Sequence, residues 1–386
     1  MRTSVYFILP EEGNTFNDQL LNCFKQLEHL SGDTTSSGVV ALTFFIRAED
    51  NPQYQEYKET IFSVVQSQYK NVYPAVACVA QAPENGNFLG LEVFLEHNIS
   101  GKVIYKQIEE VPYVVIEHKD FKEIYALGLT GILKGDVYEN SNSAFSLMEK
   151  ILASENMDFS DVVRQWNYIE NITHIPDKKQ NLQHYQIFND VRSKYYGKAN
   201  FKNGYPSATG IGSDEGGVII NFIALAGSSD IQISPLMNPG QIDAHKYSQK
   251  VLVGSGVFVE DEKSCPKFER GKTVFTHEGY KIYISGTASI IGEETVHPTD
   301  VEKQTVTTIN NIKNLTKPEN LSEFSAISPV EDYEYSYVRA YVKHKKDIDI
   351  VKRTCEKHFQ SKCFQYLVAD ICRSDLLVEI EALIES

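Results

Sequence analysis

Cysteine is sparse in this chain of 386 residues: six are scattered along it, with no CxxC pair and no dense framework. That spacing excludes a disulfide scaffold, and reduced thiols in a cytoplasmic protein are the expectation. Long apolar runs are missing as well. No stretch approaches the ~18 residues that cross a bilayer, and the apolar core of the opening MRTSVYFILPEEGN is too short for a signal peptide, so it reads as an edge strand. Basic residues are in deficit, 37 Lys and Arg against 52 Asp and Glu, for a net charge of −15. Nucleic acid and membrane surfaces are therefore not expected partners, because phosphate binding needs a basic face. A small anionic ligand stays open, since a few local cations outweigh a global field. The ten histidines show no HExxH or other ligand spacing, so neither metal nor cofactor is implied. Ser289 has no evident His–Asp partners for hydrolase chemistry. TGIGSDEGG, residues 209–217, breaks the GxGxxG spacing and runs into a strand, which makes it a turn.

What is present is the composition of a folded protein, 42% hydrophobic and 23% charged. At roughly 150 residues per domain the length suggests two or three units. Two distant segments, residues 38–96 and 335–385, share a layout: strand, charged turn, amphipathic helix, apolar strand, turn, last strand. Tyr57, Ile61, Val64 and Val65 recur at helical spacing in the first, and Ile350, Val351, Cys355 and Phe359 in the second. The last strands alternate, Leu91, Val93 and Leu95 in one and Val378, Ile380 and Ala382 in the other. Duplication of a βαββ unit explains both. Between them, a strand from Ile282 to Ile290 precedes a turn at Gly292 and Pro298, and a helix starts near Thr299 or Asp300. Residues 217–227, GVIINFIALAG, read as a buried strand. Residues 140–200 read as helical, with Phe145, Met148, Ile151, Trp166, Tyr168 and Ile169 as anchors, and 312–334 as a surface connection. A boundary near 150 gives an N-terminal domain, 1–150, and a C-terminal domain, 151–386.

Strand–Gly–Thr–x–Ser, a helix, then strand–helix–strand ending in LLVEIEA resembles the small Rid/YjgF domain. The chain as a whole resembles the chorismatase family, which releases pyruvate from chorismate. The residues that carry this are WNYIENIT (166–173), YQIFNDVRSKYY (185–196), YPSATGIG (205–212), NPGQIDAHKY (238–247), KFERGK (267–272), ISGTASIIG (284–292) and ADICRSDLLVEIEA (369–382). The resemblance implies an α/β (α+β) protein of two Rid/YjgF-like halves, each a mixed sheet backed by helices. It also implies a cofactor-independent enzyme acting on a small molecule, chorismate, in the cytoplasm, as a monomer or small homo-oligomer.

Releasing pyruvate begins with protonation of the enol-ether methylene, which calls for a desolvated carboxylic acid. The family's acid lies in the LLVEIE strand and matches Glu379; Glu381 shares its face, so the sequence leaves both open, as it leaves open a solvated carboxylate. Cys372 and Gly286, one residue after Ser285, match the pair found in members that form 3-hydroxybenzoate. Members with Ala at both positions add water to give a dihydrocyclohexadiene carboxylate. A small buried core residue is the plainer reading of Cys372. The two carboxylates of chorismate need guanidinium or hydroxyl donors, for which Arg270, Arg339 and Tyr205 are candidates, with Arg192 a further one. Arg373, as strand neighbour of Cys372, is expected to point away. Two other readings stand beside this one: a Rid-type imine deaminase, and a non-catalytic protein that binds a small anion.

Overall fold

The computed structural model describes residues 2–31, 38–70, 73–97, 101–131, 135–176, 181–227, 231–258, 262–321 and 333–385. The chain opens with β1 (Arg2–Ile8), α1 (Phe16–Ser31), β2 (Val39–Ile46), α2 (Asn51–Tyr69), β3 (Ala75–Val79) and β4 (Leu89–His97). These strands form one sheet in the order β1-β4-β2-β3, with β2 and β3 parallel and β4 antiparallel to its neighbours. Helix α2 begins where the Asp50 carboxylate accepts the Gln53 N–H at 2.9 Å and a proline occupies the first turn.

A second sheet follows from β5 (Lys102–Ile108), β6 (Val111–Glu117), β7 (Phe121–Thr130), α3 (Val137–Ser154), β8 (Val162–Glu170), α4 (His184–Tyr196), β9 (Ser207–Ser213) and β10 (Val218–Gly227). Its order is β5-β6-β7-β10-β8-β9. The third comprises β11 (Gln232–Leu236), β12 (Gly271–Thr276), β13 (Gly279–Ala288), the ribbon β14 (Ile290–Ile291) with β15 (Glu294–Thr295), and helices α5 (Val301–Leu315) and α6 (Pro318–Leu321). It continues through β16 (Glu334–Tyr335), β17 (Tyr337–Val342), α7 (Ile348–His358), β18 (Gln360–Ser361), β19 (Phe364–Val368) and β20 (Val378–Glu385), in the order β11-β12-β13-β20-β17-β19.

One strand pattern therefore occurs three times, as β1-β4-β2-β3, β7-β10-β8-β9 and β13-β20-β17-β19. The two copies visible in the sequence are the first and third; a middle copy lies between them. Its last strand, VIINFIALAG, is a continuous apolar run without the alternation seen in the sequences of β4 and β20. VVRQWNYIE was expected to be helical, with Trp166, Tyr168 and Ile169 as anchors, but it is strand β8 and every residue before Glu170 is buried. Residue 150 falls inside α3, and β7 before it pairs with β10 after it. Of the expected connection 312–334, the first residues complete α5, and 322–332 lie outside the described residues.

The three sheets close into a ring. The Gly212 N–H of β9 donates to Asp370 O ahead of β20, the Val368 N–H of β19 to Ala82 O ahead of β4, and the Asp214 N–H ahead of β10 to Ala80 O just after β3. Apolar side chains from all three sheets and from α1 and α2 merge in one cluster, whereas α3 and α4 pack with the second sheet and α5 and α7 with the third. The inner faces thus meet each other and the outer faces of the second and third sheets carry helices.

Candidate active site

Where the second sheet meets the third, a pocket encloses about 670 Å³, its mouth included. Glu379 comes from β20, opposite Ala288 on β13 and Tyr341 on β17. Gly286 of β13 and Cys372 and Arg373 of the segment before β20 complete this wall. Tyr185, Gln186 and Asn189 enter from α4, Ala208 and Gly210 from β9. The segment ahead of β12 brings Tyr247, Val251, Leu252, Val253, Phe268 and Arg270.

Two glycines make the wall possible. A Cβ on Gly286 would lie 2.0 Å from Glu379 Oε1, so only glycine lets the carboxyl rest against β13 here. A Cβ on Gly210 would meet the Tyr185 ring at 3.0 Å. Register shifts between Ile284 and Thr287, a span that contains Gly286. Ser285 faces the other way, its hydroxyl donating to Glu269 O.

Glu379 is only 4% exposed. Burial, and then the negative charge of Glu381, push its carboxyl up to about 8, against a smaller lowering by Arg164 and Arg270. It therefore carries a proton at neutral pH. Glu381 has the opposite fate although it is equally buried. Burial raises its carboxyl, but Arg164 and Arg339 outweigh that and hold it below the usual range. Arg164 Nη2 lies 2.8 Å from Glu381 Oε2 and Arg339 Nη1 2.9 Å from Oε1. Trp166 Nε1 donates to the same carboxylate at 2.8 Å, and the Thr209 hydroxyl does so too. Between the two carboxyls left open by the sequence, Glu379 lines the pocket and Glu381 is locked in the interior.

Cys372 is half-buried in the pocket wall, and burial followed by the charge of Glu379 pushes its thiol up to about 12. It is a neutral SH group, not a thiolate. Arg270 donates from Nη2 to Ile242 O at 2.5 Å and Tyr247 Oη at 2.6 Å, while its Nε has no partner among the described residues. Asn189 accepts from Arg192 Nη2 at 2.6 Å, and its own Nδ2 donor has no partner among the described residues. Two buried donors thus remain unused beside a protonated acid, a combination suited to an anionic ligand.

Arg339 is not part of this pocket. Fully buried, it bonds Glu92, Gln365 Oε1 at 2.7 Å and Tyr341 Oη at 3.1 Å, besides Glu381. Strand alternation turns it inward with Tyr337 and Tyr341, while Val338 and Ala340 pack on the opposite face. Tyr205 is also absent from the lining; its ring packs on Tyr196, Phe201 and His245. Arg192 does not line the pocket itself and reaches it through two residues that do, Asn189 and Tyr185. Arg373, expected to point away, does line the pocket: residues after Ile371 turn rather than extend, so strand parity does not apply. Its Nη1 is tied to Glu293 O at 2.8 Å and its guanidinium lies 5.2 Å from the Tyr247 ring centre. Tyr185, Asn189 and Tyr247 lay within sequence motifs already singled out, but nothing in helical or strand spacing marked them as convergent.

A family model described as chorismatase FkbO/Hyg5-like, N-terminal, matches residues 94–224. A protein named 3-hydroxybenzoate synthase from Streptomyces hygroscopicus is 28% identical over 256 residues, 65% of this chain and 70% of that one. A chorismatase from Streptomyces rapamycinicus is 29% identical over 231 residues, 59% of this chain and 65% of the relative. Aligned regions thus span about two thirds of these relatives. The crystal structure of a chorismatase, 19% identical, superposes over 100% of this chain and 99% of its own with a TM-score of 0.69, which marks the same fold. Among the described residues no helix is long and apolar enough to cross a membrane.

Proposed function

We propose that the chain is a chorismatase-family enzyme that converts chorismate to 3-hydroxybenzoate and pyruvate in the cytoplasm. The observation that carries the reading is Glu379, a buried carboxyl held with its proton at neutral pH in a pocket with unused cationic and amide donors. The proton passes from Glu379 to the enolpyruvyl methylene carbon, leaving an oxocarbenium-like centre at the ether carbon. The ring–oxygen bond then breaks, its electron pair staying on the oxygen, which becomes the ketone of pyruvate. The electron-poor ring carbon is captured by the neighbouring hydroxyl oxygen. Opening of that bridge toward the vacated carbon and loss of one ring proton to the Glu379 carboxylate give the aromatic product. One proton leaves the enzyme and one returns, and no water is consumed. Arg270 and Arg373, with Asn189, are assigned to the substrate carboxylates. Cys372 occupies the wall as a small neutral group where a water could otherwise attack the ring. Gly286 gives Glu379 its room.

The test is incubation with chorismate, pyruvate assay and chromatography of the aromatic products. Wild type is expected to release both compounds, and Glu379→Gln to lose pyruvate release by at least ~10³-fold while remaining folded. Near-normal turnover in that variant removes Glu379 from the acid role. Cys372→Ala is expected to shift product toward the diol, and an unchanged ratio removes the cysteine from product control. A second reading, imine hydrolysis, draws support from Arg373 in the pocket. Ammonia release from an imine or enamine of a small 2-oxo acid, with no pyruvate from chorismate, would favour it.

A further inference from the structure

Glu379 and Glu381 are connected by more than their strand. The Thr209 hydroxyl donates to Glu381 Oε2 and accepts from Arg164 Nη2 at 2.8 Å and from the Gly286 N–H at 3.0 Å. Gly286 is the residue against which the Glu379 carboxyl lies. A single hydroxyl therefore joins the interior ion cluster to the backbone that seats the acid. The cluster is anchored on all three sheets, with Arg164 on β8, Glu381 and Arg339 on β20 and β17, and Glu92 on β4.

Other charged or titratable groups face Glu379 from each surrounding element. Arg270 comes from the segment before β12, Cys372 and Arg373 from the segment before β20, Tyr185 from α4 and Tyr247 from the segment after β11. Of the acidic neighbours, Glu381 is the one held ionised by two guanidinium groups, and it shares the face of β20 with Glu379.

We infer that Glu381 is a positioning residue for catalysis: its fixed negative charge, held by Arg164 and Arg339, adds to burial in keeping the proton on Glu379. This rests on the reading of Glu379 as the proton donor. A like charge on one face of a strand disfavours a second ionisation, and a guanidinium nearby favours it. The two partners must then act in opposite directions. Removing Glu381 leaves Arg164 unopposed and makes Glu379 lose its proton more easily; removing Arg164 has the reverse effect.

The experiment is the pH profile of pyruvate release for wild type, Glu381→Gln, Arg164→Gln and the double variant. In Glu381→Gln the alkaline fall of activity is expected to move down by about one to two pH units, with activity recovered at acid pH. In Arg164→Gln it is expected to move up by a similar amount, and in the double variant to return near that of wild type. Arg339 keeps Glu92 as a partner in the double variant, so its buried charge stays balanced even where Glu381→Gln does not fold. Activity reduced equally at all pH values, with the alkaline fall unmoved, overturns the inference. If wild type releases no pyruvate from chorismate, the functional reading has failed. The inference is then decided by the infrared band of the protonated Glu379 carboxyl, identified by its loss in Glu379→Gln and titrated in wild type and Arg164→Gln. An identical titration in those two proteins overturns it.

Discussion

Two residues apart on one face of β20, Glu379 and Glu381 hold opposite protonation, and the difference is made by partners from other parts of the chain. Arg164 lies 217 positions from Glu381 in the sequence, which is why strand parity could bring both carboxyls inward but not tell the acid from the counter-ion. The same physics gives the acid a stability cost. Folding raises the Glu379 carboxyl from its ordinary 4.5 to about 8, so between those values the native state holds a proton that the unfolded chain has released. The sign is fixed: this group favours folding fully below about pH 4.5, and that advantage declines as pH rises toward 8. Glu379→Gln cannot titrate and escapes the decline. Urea unfolding should find the variant more stable than wild type at pH 8, on the order of 4 kcal/mol, and the gap should shrink toward pH 5. A gap independent of pH would show that the carboxyl is not buried with its proton. Activity and stability pull apart at this position, as expected of a site held in a strained electrostatic setting.

At the scale of elements, the pocket has one rigid wall and one tethered wall. The rigid wall is β13 and β20, central in their sheet. The tethered wall contains Val251, Leu252 and Val253, in a stretch with little regular structure between β11 and β12. Asp190 of α4 ties it down, accepting from Val257 N–H at 2.6 Å through one oxygen and from Ser264 N–H and Gln186 Nε2 at 2.9 Å through the other. Asp190 is 2% exposed, so these bonds are worth more than surface ones. Asp190→Asn keeps the shape but turns one acceptor into a donor facing an N–H. Its KM for chorismate should rise about tenfold, the equivalent of ~1.4 kcal/mol, with kcat changed much less. A fall in kcat with KM intact would mean that Asp190 supports the chemistry and not the wall. The elements themselves were unevenly legible. A helix start near Thr299 or Asp300 and a strand at 217–227 follow from capping and apolar runs; the structure caps α5 at Asp300 and runs the strand from Val218 to Gly227. The stretch 237–270 carries neither alternation nor helical spacing, because its order comes from side chains such as Asp190, Arg270 and Tyr247. It is legible only as a motif, and Arg373 escapes strand parity for a similar reason: the residues after Ile371 turn.

For the whole molecule, the ring of three sheets poses the question why one junction is a site and the other two are not. Register answers it. Glu379 stands opposite Tyr341; the matching position of the second sheet is Ile219, opposite Tyr168, and that of the first is Gly90, opposite Phe45. Neither can deliver a proton. Both other junctions are also filled. At one, Tyr54 of α2 is buried against Gly216, its hydroxyl donating to Cys78 O at 2.9 Å. At the other, a Cβ on Gly90 would come within 2.7 Å of the Phe7 ring, leaving no room beside the strand. Holding the ring shut is the buried cluster of Arg164, Glu381, Arg339 and Glu92, and this is where Arg339 belongs. Its replacement by Leu strands Glu92 and leaves Glu381 with Arg164 alone, which should cost about 3–5 kcal/mol in chemical denaturation. A loss of that size with the KM for chorismate unchanged in the folded fraction separates a structural Arg339 from a ligand-binding one. The threefold pattern makes a count testable as well. Calorimetric titration of Glu379→Gln, which should bind chorismate without consuming it, is expected to give one site per chain. A stoichiometry of two or three would mean that Tyr54 or Phe7 can vacate its junction, and that the ring keeps binding sites where it has lost the acid.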